Sequence, residues 1–126
     1  MEKIDALRFF DQKPYAYSLY QRFRDRVLAE IGEASIKVQK TQITFSNRRV
    51  FACVSQMRVR KKRELPEEYI VVTFGLNHPV DAVRIAVKTE PYPNRWTHHV
   101  LVSSPEDIDA ELMNWVREAY VFSGQK

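Results

Sequence analysis

The feature that most constrains this chain is a double change of hydrophobic period. Segments near both ends repeat apolar side chains every three to four positions, whereas the stretch between them alternates with period two. Near the start, Ala16, Leu19, Tyr20, Phe23, Val27 and Ile31 share one stripe, and Gln21, Arg22, Arg24 and Asp25 fall largely opposite. The spacing predicts a helix over about 14–31. Asp11 stands as its cap, Pro14 suits the first turn because its missing N–H is not needed there, and Gly32 suits a left-handed terminator. Near the end, Ile108, Leu112, Trp115, Val116, Ala119 and Phe122 form a second stripe behind Ser104-Pro105-Glu106-Asp107. A cap, a proline and acids at the positive end of the helix dipole predict a helix over 104–122, closed by Gly124. Residues 1–13 leave room for a short helical turn.

Between the helices the pattern reads as strands. Ile36 and Val38 alternate with Lys37 and Gln39, and after Lys40-Thr41 the residues Ile43 and Phe45 alternate with Gln42 and Thr44. Ser46-Asn47-Arg48 reads as a hairpin turn, since Asn accepts unusual backbone angles. A strand over 49–57 follows, with Phe51, Ala52, Cys53 and Val54 apolar on both faces. Residues 58–66 are too charged for a core and predict a loop. The strand over 68–74 is again apolar on both faces, which belongs near the centre of a sheet. Gly75 to Pro79 breaks it, Val83, Ile85 and Val87 mark a strand with one wet face, Pro91 and Pro93 predict irregular chain, and His98 to Val102 is a further strand. Helix, five or six strands, helix predicts an α+β fold. It is a two-layer domain with a mainly antiparallel sheet, both helices packing on one face.

The length of 126 residues, with 44% hydrophobic and 29% charged, fits a single globular domain over 1–126. No run approaches the roughly 18 apolar residues that a membrane span requires, and the start does not resemble a secretory signal. Cys53 is the only cysteine. No disulfide can form within the chain, and a reducing cytoplasmic compartment is expected. Its apolar neighbours predict a buried thiol of raised pKa, which is unsuited to a nucleophile. With three glycines there is no phosphate-cradling loop, and there is no Gly-x-Ser-x-Gly elbow or Cys-x-x-Cys pair. No cofactor or metal is expected.

Net charge is +4, but its distribution says more. From Ala34 to Arg63 there are nine Lys or Arg and no acid, and from Leu101 to Lys126 five acids and two bases. The nine are Lys37, Lys40, Arg48, Arg49, Arg58, Arg60, Lys61, Lys62 and Arg63. Five crowd into the six residues from Arg58 to Arg63. If folding gathers them on one face, that face suits the phosphates of a nucleic acid or an acidic protein. The competing reading is a solvated loop tip whose like charges prevent aggregation.

His98 and His99 are adjacent on a strand and so point to opposite faces. They cannot easily share a metal. One is expected to be buried and hydrogen-bonded, and the other to meet Asp107 or Asp109 from the next helix, as a general base or an anion-binding group would. His78 reads as a turn residue. The acids Glu106, Asp107, Asp109 and Glu111 are explained by the helix dipole and lack ligand spacing. Tyr15, Tyr17 and Tyr20 offer either core packing or exposed rings, and Trp96 and Trp115 read as anchors in or near the core.

Several segments together resemble a bacterial family of domains of unknown function, number 5655. They are Lys40-Thr41-Gln42-Ile43-Thr44-Phe45, Arg49-Val50-Phe51-Ala52, Trp96-Thr97-His98-His99, and Asp109 with Trp115, Ala119 and Tyr120. The resemblance runs over about 15–122. It implies the α+β fold. It brings no catalytic residue with it, although some members are labelled predicted transport proteins. The expectation is therefore a binding module with a basic face. The alternatives are an enzyme using His98 or His99 beside the acidic helix start, and a homodimeric interaction domain using a sheet edge.

Overall fold

The computed structural model describes residues 2–125. Helices α1 (Glu2–Phe9) and α2 (Pro14–Arg26) open the chain. Six strands follow: β1 (Ser35–Val38), β2 (Gln42–Ser46), β3 (Val50–Ser55), β4 (Ile70–Leu76), β5 (Ile85–Tyr92) and β6 (Arg95–Val102). Helix α3 (Ala110–Ser123) closes it. All neighbouring strands pair antiparallel in one sheet of order β1-β2-β3-β4-β6-β5, so the fold is α+β. β4, apolar on both faces, lies inside the sheet between β3 and β6.

The pairing register sorts the side chains, because directly opposed residues share a face. One row reads Val38, Ile43, Val54, Val72, Val100, Ile85 across the whole sheet, and the next reads Ile36, Phe45, Ala52, Phe74, His98, Lys88. These rows meet Leu19, Tyr20 and Phe23 of α2 and Leu112, Val116 and Ala119 of α3 in one core. Each large apolar side chain buried there contributes about 1.5–3 kcal/mol. The intervening row is Lys37, Thr44, Cys53, Thr73, His99, Val87 and lies on the other face.

The helix ends differ from expectation for tertiary reasons. Helix α2 stops at Arg26, and Val27–Ile31 widens into a π-turn in which the Gly32 amide reaches back to the Val27 carbonyl (3.1 Å). α3 takes one carbonyl of this turn and one just beyond it: Arg117 donates to Glu30 O (3.1 Å) and the Tyr120 hydroxyl to Glu33 O (3.2 Å). Gly32 is extended (φ 159°, ψ −177°), not left-handed. A side chain would be disfavoured there both by this φ and by a Cβ standing 2.7 Å from the Tyr120 hydroxyl. Asp11 does not cap α2. Lys13 occupies the N-cap without a side-chain bond, and Glu68 from β4's entry accepts from the amides of Tyr15 (3.0 Å) and Ala16 (3.3 Å).

At the other end, Ser104 starts a 3-10 turn (Pro105–Asp107) rather than the helix. The Asp107 carboxylate accepts from the amides of Ser103 (3.0 Å) and Ser104 (3.2 Å). The chain then leaves helical angles at Ile108, whose side chain enters the core, and Asp109 caps α3 by accepting from the Leu112 amide (3.0 Å). Gly75 lies inside β4 instead of breaking it, and Pro91 lies inside β5. β5 is an edge strand, where a missing N–H is tolerated. Asn94 (φ 63°) turns the chain directly into β6. Among the described residues no helix is long and apolar enough to cross a membrane.

Candidate functional site

The basic residues between β3 and β4 sit on a loop whose root is fixed. The Tyr69 hydroxyl stands 3.1 Å from the carbonyls of both Gln56 and Met57, and Gln56 Nε2 donates to the Phe9 carbonyl (3.3 Å). The outer part folds into a 3-10 turn over Lys62–Glu64, closed by the Glu64 amide on the Lys61 carbonyl (2.8 Å). Arg58, Arg60, Lys61, Lys62 and Arg63 are all exposed. None forms a side-chain hydrogen bond or ion pair among the described residues. Arg58 and Lys62 border a cavity of about 450 Å³ with Leu65, Pro66, Glu67 and Tyr69. Burial pushes the Tyr69 phenol up, against the opposing pull of Arg58.

Sheet topology then divides the other cations. The β1–β2 turn lies at the end of the sheet where β3 finishes, so Lys40 is at the same end as the loop. There it borders a cavity of about 360 Å³ with Asp5, Arg8 and Phe9, which adds Arg8 to the basic set. Lys37 is exposed within β1. Arg48 and Arg49 lie at the opposite end of β3, about 20 Å away along a six-residue strand. Arg48 is exposed there. The Arg49 guanidinium is committed to the C-terminus of α3, donating to the Ser123 carbonyl (3.2 Å) and to that of Gln125. The nine basic residues are thus not one continuous face; five from the loop plus Lys40 form one group.

The histidines have partners other than the acidic helix start. His98 is fully buried on the helix side, and its Nε2 accepts from the Val80 amide (3.0 Å). Its ring stacks on Phe74 (5.0 Å), which stacks on Trp115 (5.7 Å), with the Arg84 guanidinium over the outer face of that indole. His99, on the other face, shares a hydrogen bond between Nδ1 and the Thr73 hydroxyl (2.8 Å). Burial holds both imidazoles below their usual pKa. Asp109 is taken by Arg84, whose Nη1 lies 2.7 and 2.8 Å from its two oxygens and 3.1 Å from Glu111. Asp107 is occupied in its turn. Burial raises the Asp109 carboxyl, but the Leu112 amide and Arg84 outweigh it and hold it low. His78 is exposed and pairs with Glu118 of α3, which raises its pKa together with the Pro79 carbonyl. Among the described residues no group of three His, Cys, Asp or Glu side chains gathers to hold a metal ion.

A second recess lies on the sheet face opposite the helices. It measures about 290 Å³ and is lined by Gln42, Cys53, Thr73, Gly75, Arg95, Thr97 and His99 among others. Desolvation pushes the Cys53 thiol up to about 11, so it is neutral and weakly nucleophilic. Cys53 and His99 both flank Thr73 in register, which sets their strands about 10 Å apart and precludes a thiolate–imidazole pair. Arg95 is partly buried; its guanidinium lies over the Phe122 ring (5.7 Å) and against Gly75, where a Cβ would be 2.8 Å away. Arg95 and Thr73 were not expected at a site. The signals were present: alternate positions 95, 97 and 99 on one strand, and a glycine within a strand, which marks a close approach.

Neither a curated protein nor a solved structure matches the chain. The family model for a domain of unknown function, DUF5655, matches residues 8–123, which include all six strands and the helices α2 and α3. This chain therefore belongs to the DUF5655 family.

Proposed function

We propose that the β3–β4 loop, with Lys40 and Arg8 at the same end of the sheet, is a low-specificity docking surface for the phosphate backbone of a nucleic acid. One observation carries this reading. Several other arginines are spent on the fold: Arg26 on Glu30 and the Ile108 carbonyl, Arg49 on the end of α3, Arg84 on Asp109 and Glu111. The five loop cations have no such partner among the described residues and stand on a root fixed by Tyr69 and Gln56. Cations without a carboxylate partner are the ones that exchange counterions for phosphates, and such binding weakens steeply with salt. The loop carries no helix or ribbon shaped to enter a groove, so the reading is of backbone contact without base recognition.

The test is fluorescence anisotropy of labelled single- and double-stranded oligonucleotides over about 50–200 mM salt. If about five phosphates are contacted, affinity falls by roughly two to three decades over that range. Changing Arg60, Lys61, Lys62 and Arg63 together to Glu abolishes binding, and the melting temperature stays within a degree or two because these side chains are exposed and form no hydrogen bond or ion pair among the described residues. Binding that ignores salt, or that survives the charge reversal, overturns the proposal; so does no binding at the lowest salt.

A further inference from the structure

The recess on the helix-free face holds a cation whose counter-charge is missing. The residues lining it include Arg95, His99, Thr73, Thr97, Gln42 and Cys53, and no carboxylate. The Arg95 guanidinium makes no hydrogen bond or ion pair among the described residues. It is nevertheless held in place, over Phe122 and against the bare backbone of Gly75. A guanidinium held in place with its five N–H donors free of protein partners is preorganised to take an anion that enters the recess. Its planar fork matches two oxygens of a carboxylate or phosphate.

The neighbouring groups are complementary to an oxyanion. Thr97 stands beside Gly75 in register, and Thr73 and His99 are the next opposed pair along the same two strands. In the tautomer in which the Thr73 hydroxyl donates to His99 Nδ1, the imidazole proton sits on Nε2, which has no partner among the described residues. The hydroxyl of Thr97 and the amide of Gln42 add donors, and the neutral Cys53 thiol brings no negative charge. A volume of about 290 Å³ is at the small end of the range for ligand sites. We infer that this recess is a binding site for a small oxyanion, a carboxylate or a phosphate group, anchored by Arg95 and flanked by Thr97, Thr73 and His99. This site is independent of the basic loop.

Two-dimensional amide NMR, extended to the arginine Nε–H signals, tests it with inorganic phosphate and acetate as separate probes at constant ionic strength. The expected result is saturable shifts at Gly75, Arg95, Thr97 and His99 with at least one probe; the probe that saturates first says whether phosphate or carboxylate is the preferred head group. Arg95→Gln should weaken that response at least tenfold, while Arg95→Lys, which keeps charge but loses the fork, should weaken it less. The variant with Arg60, Lys61, Lys62 and Arg63 changed to Glu should retain it in full, which separates this site from the docking loop. No saturable shift in the wild-type protein with either probe up to about 50 mM, a threshold set well above the millimolar affinity scale, overturns the inference. Shifts at the recess that Arg95→Gln leaves intact, or shifts confined to the β3–β4 loop, overturn it equally.

Discussion

The two faces of the sheet use the same kinds of residue to opposite ends. Under the helices, Arg84 reaches Asp109 and Glu111 and covers Trp115, while His98 is sealed between Phe74 and the Val80 amide. One residue further along β6, His99 faces the other way into a recess that holds an unpaired Arg95. The covered face spends most of its polar groups on structure, with His98 Nδ1 buried there without a partner. The uncovered face leaves the Arg95 guanidinium without a protein partner among the described residues, in a recess open to the surface.

This contrast can be broken by mutation. The largest effect is expected from Phe74→Ala, which empties the centre of the His98–Phe74–Trp115 stack on the covered face and should cost about 3–5 kcal/mol by urea unfolding. Thr97→Ala, on the opposite face of the paired strand, should cost about 0.5 kcal/mol or less. The next largest separates the two arginines. Arg84→Ala removes the half-exposed pair with Asp109 and the cover over Trp115 and should cost about 1 kcal/mol, whereas Arg95→Ala should change stability by no more than about 0.5 kcal/mol. Comparable losses for both would mean that Arg95 is a structural residue like Arg84, and the contrast would fail.

The smallest effect is pH dependence, and it has two signs. Burial lowers the pKa of His98 and His99 below the ordinary 6.5. The unfolded imidazoles therefore take protons that the folded ones refuse, and stability falls as pH drops through 6.5. His99→Gln should remove part of that fall. His78 runs the other way, because the Glu118 hydrogen bond raises its pKa above 6.5. Its contribution is fully present below 6.5 and is lost as pH rises through the raised value. His78→Gln should thus lower the melting temperature at pH about 5.5 and leave it unchanged at pH about 8, by no more than a degree or two for an exposed pair. A uniform effect of either substitution across that range would contradict these assignments.

The long-range order of the elements was legible because hydrophobic period depends only on neighbours in the chain. Ile43 and Phe45, or Leu112 and Val116, announce their buried faces without knowledge of any partner. The interior position of β4 followed from its two-sided apolar run, and the opposite fates of His98 and His99 from strand alternation. Element ends were not legible, because tertiary partners decide them. Glu68 caps α2 from the entry to β4, Arg117 donates to the Glu30 carbonyl of the π-turn, and Tyr120 donates to the Glu33 carbonyl just beyond it. The candidate sites divide along the same line. Charge density marked the β3–β4 loop at once, since Arg58–Arg63 are contiguous.

Which cations are free could not be read locally. Arg49 lies one residue from Arg48, yet it is consumed by the end of α3, a segment more than seventy positions away. Arg95, Gly75 and Cys53 come together only when β3, β4 and β6 pair. The sequence by itself determined the succession of helices and strands, the face each presents, and the run of positive charge, all properties of short spans. Only the tertiary structure decided which polar groups find partners and which do not, because that balance depends on the pairing of strands distant in the chain and on which sheet face the helices cover.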